Sequence, residues 1–366
     1  MKKYFVFLGI AALTLAACTK TEIDETAIPD QKIEFNAANY VPQTRAGEVS
    51  LTGDTHFFNS KAYLHAEGVL TVQDYFGEKE TITANAETTP SAWLPSHDYY
   101  WPKSKNSYIN FVSWFDKNGA PTTISETSLA WANRTIATDD NIMWADEAWR
   151  FNNNDGALYK KDNVSEGVPT LFHHALAKLT IKAKCDPVEK DDSQVAGKKT
   201  TWEVTLEDIK ITGTFNQGTL TLTNSDPNEA AKTKPYETTG WVLPTSGTAP
   251  GITMNNTSVL TKDLVDVLAE QSVLPQTLTN AKLEFKLHII AKYDTKKVSE
   301  EIIDMSVKLN TLGSTPITEW AMNTKYVYNI IINPETDVVK FDPAVIPWVV
   351  DANAPTYTVP EGQINS

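Results

Sequence analysis

Apolar and polar residues alternate along much of the chain, which is the pattern of half-buried β-strands. The clearest run covers residues 283–293, and a shorter one covers 179–184. Residues 326–332 are apolar on both faces, which indicates a strand covered on both sides. Only two short stretches, 144–150 and 261–270, favour a helix. The alternating apolar positions of the two clearest runs are Leu179, Ile181, Ala183, Leu283, Phe285, Leu287, Ile289 and Tyr293.

Turn-forming residues separate these runs. Clusters of Pro, Gly, Asn and Asp lie at 152–156, 186–199 and 224–235. The turn at 216–218, followed by alternation of Leu220 and Leu222 with threonines, predicts a β-hairpin. We find no internal repeat, and the predicted architecture is a β-sandwich, formed twice. The boundary is expected within 152–167, with the 186–199 loop as the alternative.

The first eighteen residues form an export signal. Met1-Lys2-Lys3 is positive, residues 4–12 are apolar but too few to span a membrane, and Leu15-Ala16-Ala17 precedes Cys18. This end resembles the bacterial lipobox, in which a signal peptidase cuts before the cysteine and the thiol carries diacylglycerol. We therefore expect a signal peptide over residues 1–17 and acyl chains on Cys18, which hold a protein at a membrane. An ordinary secretory signal with a chance cysteine is the alternative.

Composition and charge exclude several classes of protein. The 366 residues include 13 Tyr, 13 Phe and 10 Trp, too many aromatic residues for a disordered chain. Lys plus Arg is 32 and Asp plus Glu is 46, which gives 32 − 46 = −14. Without a basic run, this charge argues against nucleic acid as a partner. Two cysteines exclude a disulfide scaffold and a zinc site built from cysteines.

The sequence contains no catalytic constellation. Residues 197–200 lack the earlier glycine of a phosphate-binding loop, and no nucleophile elbow is present. His173-His174 are adjacent, so in a strand they point to opposite faces and cannot share a metal. Asp139-Asp140 and Asp146-Glu147 are interpreted as solvated acids of turns and a helix start, and Cys185 as a buried, inert thiol. We expect a protein that is not an enzyme and has no cofactor or metal.

Several short motifs, in order, resemble the fimbrillin family of Bacteroidales pilus subunits. Each is weak alone, but together they extend over residues 1–350. After the lipobox come Ile33-Glu34-Phe35, Thr44-Arg45-Ala46, Tyr100-Trp101-Pro102, Asp140-Asn141-Ile142-Met143-Trp144-Ala145, Phe172-His173-His174-Ala175-Leu176-Ala177-Lys178-Leu179, Leu274-Pro275-Gln276, Trp320 with Asn323, Tyr326-Val327-Tyr328, and Phe341-Asp342-Pro343 with Trp348.

The resemblance implies an all-β fold of two transthyretin-like β-sandwich domains after a lipoprotein signal peptide. We expect these domains at 46–166 and 167–336, followed by a C-terminal segment at 337–366. The implied function is that of a structural subunit, of the stalk type, in a surface fimbrium. Its partners would be other fimbrial subunits, outer-membrane lipid before processing, and an arginine-specific protease. The precursor would be anchored in the cell outer membrane and the mature subunit would lie in the extracellular fimbrium.

The motif around Arg45 is the one with a chemical role. Residues 32–41 are predicted to form a strand, with Ile33 and Phe35 as its apolar face. The resemblance implies cleavage between Arg45 and Ala46, which removes residues 18–45. Removing a strand exposes apolar core and two unpaired strand edges. A strand from another subunit can then fill the gap by β-augmentation, a mode for which pilus assembly is a standard example.

The expected donor of that strand is the C-terminal segment. Val339, Phe341, Val345 and Val349 lie at odd positions that share one face of an extended chain. Prolines interrupt the segment and disfavour pairing within the subunit. The alternative is an ordinary edge strand that closes the second domain. The prolines are Pro343, Pro347, Pro355 and Pro360.

A second function stays open. Six of the ten tryptophans lie between residues 93 and 149, and exposed tryptophans bind sugars. The chain would then be a lipid-anchored surface glycan-binding protein or adhesin that stays monomeric. The mature N-terminus separates the two: Ala46 for the fimbrial subunit, acylated Cys18 for the adhesin.

Overall fold

The computed structural model describes residues 32–39, 49–50, 56–85, 93–104, 106–151, 167–224, 233–254, 257–312, 316–336 and 338–347. Cys18, Arg45, Ala46 and Val349 lie outside these ranges. Within them the chain consists of β-strands with one 3₁₀ turn at Leu309–Thr311 and no α-helix, so the predicted all-β class is confirmed. No helix in the described part of the chain is long and apolar enough to cross a membrane.

The strands up to the middle of the chain are β1 (Phe35–Asn39), β2 (Val49–Ser50), β3 (Phe57–His65), β4 (Gln73–Asp74), β5 (Glu80–Ala84), β6 (Trp93–Pro95), β7 (Tyr108–Asp116), β8 (Thr123–Ser125), β9 (Ser128–Thr135), β10 (Ile142–Ala145), β11 (Glu147–Phe151) and β12 (Val168–His174). The remaining strands are β13 (Ala177–Cys185), β14 (Glu189–Asp191), β15 (Lys199–Thr212), β16 (Gln217–Thr223), β17 (Thr233–Lys234), β18 (Trp241–Val242), β19 (Ile252–Thr253), β20 (Ser258–Val259), β21 (Val265–Val273), β22 (Gln276–Thr277), β23 (Lys282–Tyr293), β24 (Lys296–Lys308), β25 (Glu319–Trp320), β26 (Thr324–Asn333) and β27 (Val338–Pro347).

The first sheet closes on itself. Its order is β17-β11-β7-β10-β12-β1-β6-β5-β3-β4, with β2 beside β1. Closure arises because β3 also pairs with β7, from Asn59 opposite Trp114 to His65 opposite Tyr108. The strands from β7 through β1 to β3 therefore form a ring, and β1 is one of its members. Aromatic and aliphatic side chains fill the interior of this ring.

A smaller sheet, β18-β16-β9-β8, covers the outside of the ring. A second core lies between the two layers, where Trp114 of β7 and Trp131 of β9 are fully buried. This accounts for part of the tryptophan cluster: these rings fill the space between sheets and offer no surface for stacking on a ligand.

The second half of the chain packs two sheets face to face. One has the order β21-β13-β26-β27 and the other β14-β15-β23-β24, with a large apolar core between them. Leu283, Phe285, Leu287 and Ile289 of β23 are buried, and the polar residues between them are partly exposed. The alternation that predicted this strand is therefore confirmed. The 326–332 strand is buried on one face and half-buried on the other.

Both predicted helices are wrong. Residues 144–150 belong to β10 and β11, and most of 261–270 belongs to β21. The second stretch has apolar residues at helical spacing, but it pairs with β13, and two irregularities in the register allow the pairing. The context of neighbouring strands overrides a weak local preference.

The predicted hairpin at 216–218 is also wrong. Gln217 and Gly218 already belong to β16, and β15 pairs with β23 in the second half, whereas β16 pairs with β9 beside the ring. The chain thus changes layer between Gly213 and Asn216.

Strand pairing also crosses the expected boundary at residue 166. β12 belongs to the ring, although it follows that position in the sequence. The division into domains at 46–166 and 167–336 stays a prediction.

Candidate functional site

The place that β1 occupies is the candidate site, because β1 is hydrogen-bonded along both edges. On one side it runs parallel to β12, from Phe35 opposite Val168 to Asn39 opposite Phe172. The amide of Val168 donates to the carbonyl oxygen of Glu34 at 2.7 Å. On the other side Phe35 pairs with Trp93 of β6. This edge extends beyond β6, where the amide of Ile33 donates to the carbonyl oxygen of Tyr99 at 2.8 Å.

One face of β1 is part of the core. Ile33, Phe35 and Ala37 are 1%, 1% and 3% exposed, and Glu34 and Asn36 between them face solvent. The Phe35 ring packs edge-on against Phe58 and Phe111, with centroid distances of 5.6 and 5.4 Å. Full burial of an Ile or a Phe side chain contributes roughly 1.5–3 kcal/mol each. Loss of β1 would therefore leave an apolar groove between β12 and β6.

Gly167 lets β1 approach closely at the start of β12. Its φ is +76°, and a Cβ there would lie 2.7 Å from the carbonyl oxygen of Glu34 and 2.9 Å from the carbonyl carbon of Phe35. Any side chain would push the strand away. In the sequence, Gly167 stands at the end of the stretch 152–167, which was interpreted only as the boundary between domains.

The connection that contains Arg45 joins β1 to its antiparallel neighbour. β2 pairs with the end of β1, Asn39 opposite Val49 and Ala38 opposite Ser50. Residues 40–48 connect these two strands. Arg45 and Ala46 lie in this interval, outside the described residues. A cut between them would leave β1 held by non-covalent contacts alone.

Most of the candidate donor strand occupies an edge of the second half. β27 pairs antiparallel with β26 over its whole length, from Val338 opposite Asn333 to Pro347 opposite Thr324. Val339 packs against the core there, whereas Val345 is 57% exposed. Phe341 lies within this ladder as well. The strand thus has a place within the subunit, and a donor role for it remains a prediction.

The end of β27 lies near the end of the β1 site. Pro347 is opposite Thr324, which is paired with Ala177. Ala177 follows Phe172, the partner of Asn39, by five residues of the same chain. β12 ends at His174 and β13 begins at Ala177, so this stretch is not one strand, and its five residues span at most about 17 Å.

The other residues singled out in the sequence have structural roles. Cys185 is fully buried, and burial raises the pKa of its thiol to about 11, as expected for an inert cysteine. His174 is buried and hydrogen-bonds Asn141, and burial lowers its pKa to about 3. His173 is partly exposed, 3.2 Å from Asp146. The expectation of one buried and one more exposed histidine is thus met in outline.

The interpretation of the paired acids was partly wrong. Asp139 is exposed, but Asp140 and Glu147 are fully buried. Asp140 and the equally buried carboxylate of Asp116 both bind Arg134, at 3.2 and 3.1 Å. This network was not predictable from the sequence, because Asp116 and Arg134 are 18 residues apart along the chain. Both carboxylates also accept backbone hydrogen bonds, Asp140 from Ala137 and Asp116 from Asn118, so their charges are compensated within the fold.

Within the described ranges, no group of three or more His, Cys, Asp or Glu side chains is arranged to hold a metal ion.

The sequence matches a family model described as fimbrillin-like over residues 44–348, which is most of the chain. Among curated proteins, none matches it significantly.

Two solved structures that resemble it are fimbrial proteins. One, from Bacteroides vulgatus, is 15% identical, with 87% of this chain and 100% of that chain covered and a TM-score of 0.46. The other is the tip fimbrial protein Mfa3 from Porphyromonas gingivalis with a C-terminal truncation, 10% identical, with 87% and 100% covered and a TM-score of 0.36. At these values the assignment rests on the family model. The chain belongs to the fimbrillin-like family.

Proposed function

We propose that this protein is a structural subunit of a surface fimbrium that assembles by donor-strand exchange. Membership of the fimbrillin-like family supports a structural, non-enzymatic role and assembly with other fimbrial subunits. The finer proposal is that it is a stalk subunit, exported as a lipoprotein, cleaved after Arg45, and joined to its neighbour by an inserted strand.

The observation that carries the proposal is the position of β1. It is a full member of the ring, with pairing on both edges, and Phe35 and Ala37 within it and Ile33 just before it are buried. It is also an N-terminal element, next to the expected cleavage point. A strand that is needed for the core and yet can be released leaves a groove of defined length. Such a groove accepts another strand.

The distribution of arginines supports cleavage at a single point. The sequence holds three arginines, Arg45, Arg134 and Arg150. Arg134 lies in β9 and Arg150 in β11, both partly buried, and Arg134 is engaged by two carboxylates. A protease needs an extended, accessible segment, so an arginine-specific enzyme acting on the folded chain is expected to cut only after Arg45.

The C-terminal segment at 337–366 is the proposed donor. Of its candidate side chains, Val339, Phe341 and Val345 belong to β27 and would enter a neighbour's groove only if the ladder with β26 opened, whereas Val349 follows β27. Nineteen residues follow Pro347. An extended chain of that length spans up to about 60 Å, enough to reach a neighbouring subunit from the end of β27. Lipidation of Cys18 would hold the precursor at the outer membrane until cleavage releases it.

The mature N-terminus tests the proposal against the alternative of a monomeric, lipid-anchored adhesin. We expect chains from purified surface polymers to begin at Ala46 and to carry no fatty acid. The measurement is N-terminal sequencing with intact-mass analysis, and the Cys18→Ala precursor is the control for the lipid signal. Surface protein that begins at acylated Cys18 would favour the adhesin and contradict the proposal.

A further inference from the structure

The groove that β1 would leave has two walls, and one of them is held by more contacts with the rest of the fold than the other. β12 is the more strongly held wall, since it pairs with β10 on its far side and leads into β13. The other wall is the segment 93–100, in which only Trp93–Pro95 forms a strand. Its contacts with the first strand include the Phe35–Trp93 pair, the bond from Ile33 to Tyr99, and the ion pair of Lys32 with Asp98 at 2.7 Å. These are lost when the strand leaves.

A single buried carboxylate holds this wall from behind. Glu80 is 4% exposed. Its Oε1 accepts from the amide of Ser96 at 2.7 Å, from the amide of His97 at 3.2 Å, and from the Ser96 hydroxyl. Its Oε2 accepts from the Tyr99 hydroxyl at 3.2 Å and lies 3.2 Å from Nδ1 of His97. One side chain thus binds three of the four residues that follow β6: Ser96, His97 and Tyr99.

The anchor of Glu80 does not depend on the first strand. Glu80 begins β5, where it is paired with Ser60 of β3. Burial raises the pKa of the Glu80 carboxyl, but the hydrogen bonds from Ser96, His97 and Tyr99 outweigh burial and hold the pKa below its ordinary value. The carboxylate is therefore charged at neutral pH. Hydrogen bonds to charged groups contribute roughly 1.5–3 kcal/mol.

We propose that Glu80 is a positioning residue for strand exchange: it keeps the 93–100 wall in its strand-accepting conformation after the first strand has left. The Tyr99 carbonyl that binds Ile33 then stays aimed into the groove for the incoming strand. Three residue pairs with β5, the bond from the Ser96 amide to Thr81, and the bond from the Tyr75 hydroxyl to the Tyr100 carbonyl also hold the wall. Among these contacts, only those of Glu80 bind His97 and the Tyr99 hydroxyl. This role rests on the proposed function.

The test uses the unlipidated full chain (Cys18→Ala), cut after Arg45 by an arginine-specific protease. A fluorescent peptide with the sequence of residues 30–41 then exchanges with the resident strand, and anisotropy gives its affinity and rate. We expect Glu80→Ala to weaken binding by about tenfold or more, as loss of hydrogen bonds to a charged acceptor implies. Glu80→Gln should be intermediate, since its carbonyl can still accept from Ser96.

Two controls separate positioning from general destabilisation. Glu78→Ala changes an exposed acid two residues away, and Val204→Ala opens a cavity in the second half, where Val204 is fully buried. Both should bind the peptide like the parent chain. If Glu80→Ala binds the peptide as tightly as the parent chain, the role of Glu80 is wrong. The same holds if Val204→Ala weakens binding as much as Glu80→Ala does. Either result would overturn only the role of Glu80. Absence of peptide exchange in the parent chain would overturn the proposed function, and the role of Glu80 with it.

Discussion

A chain carrying Arg45→Ala is expected to fold and to reach the cell surface, but not to form polymers. Without the cut, β1 stays covalently attached and competes for its own groove at an effective concentration on the order of millimolar. An incoming strand from another subunit cannot match this, since Ile33 and Phe35 already fill the apolar positions. We expect loss of essentially all high-molecular-weight ladder in gels of surface material run without heating.

The matched control is Gln43→Ala, a substitution two residues away that keeps the arginine. Its ladder should be normal. Arg45→Lys distinguishes two kinds of protease: the ladder should be lost if the protease is specific for arginine, and kept if the protease also accepts lysine. The thermal midpoint of the Arg45→Ala monomer should equal that of the uncut parent. Normal ladders from Arg45→Ala would show that cleavage is not required. A lowered thermal midpoint would mean that any loss of polymer results from misfolding.

Removal of the C-terminal segment should have a comparably large effect on assembly, and two truncations divide the segment. A chain that ends at Pro347 keeps β27 and its ladder with β26. A chain that ends at Asp337 also loses that ladder and the contact of Val339 with the core. We expect both to stop extension, because β27 is already engaged by β26, so the nineteen residues after it must contribute to donation.

The two truncated chains should differ in stability. The shorter one loses a strand, at roughly 0.5–1.5 kcal/mol for each hydrogen bond, and should melt at a lower temperature. Both keep the groove, so each should still accept a strand and cap polymers of intact subunits at one end. If the chain ending at Pro347 polymerises normally, the donor is β27 itself. If both polymerise, the C-terminal segment is not the donor.

Strands with strict alternation were predictable from the sequence, and the reason is physical. In β23 the buried and exposed positions follow the pleat, so local pattern and final structure agree. The segment at 261–270 was not predictable, because its apolar spacing fits a helix and only the pairing of β21 with β13 decides against one. The layer change after residue 213 was equally hidden. Partners so distant in sequence leave no local signal.

The candidate site was predicted in part. Ile33 and Phe35 were identified as an apolar face, and the structure buries both. Gly167 and Glu80 were missed, because their roles depend on close approach and on hydrogen bonds to residues that are distant in sequence or follow a turn. In the sequence, a buried glutamate at the start of a strand with alternating polar residues cannot be distinguished from a solvent-exposed glutamate. Its function shows only when Ser96 and Tyr99 lie beside it.

The most direct test of the account is hydrogen exchange at the amide of Val168, which donates to Glu34 of β1. Mass spectrometry of peptides spanning β12 follows it in the uncut precursor, the trimmed monomer and the assembled polymer. The account predicts slow exchange in the precursor, fast exchange in the trimmed monomer once its cleaved strand has been removed, and slow exchange again in the polymer, where another subunit's strand fills the groove. Slow exchange in the trimmed monomer, or fast exchange in the polymer, would contradict it.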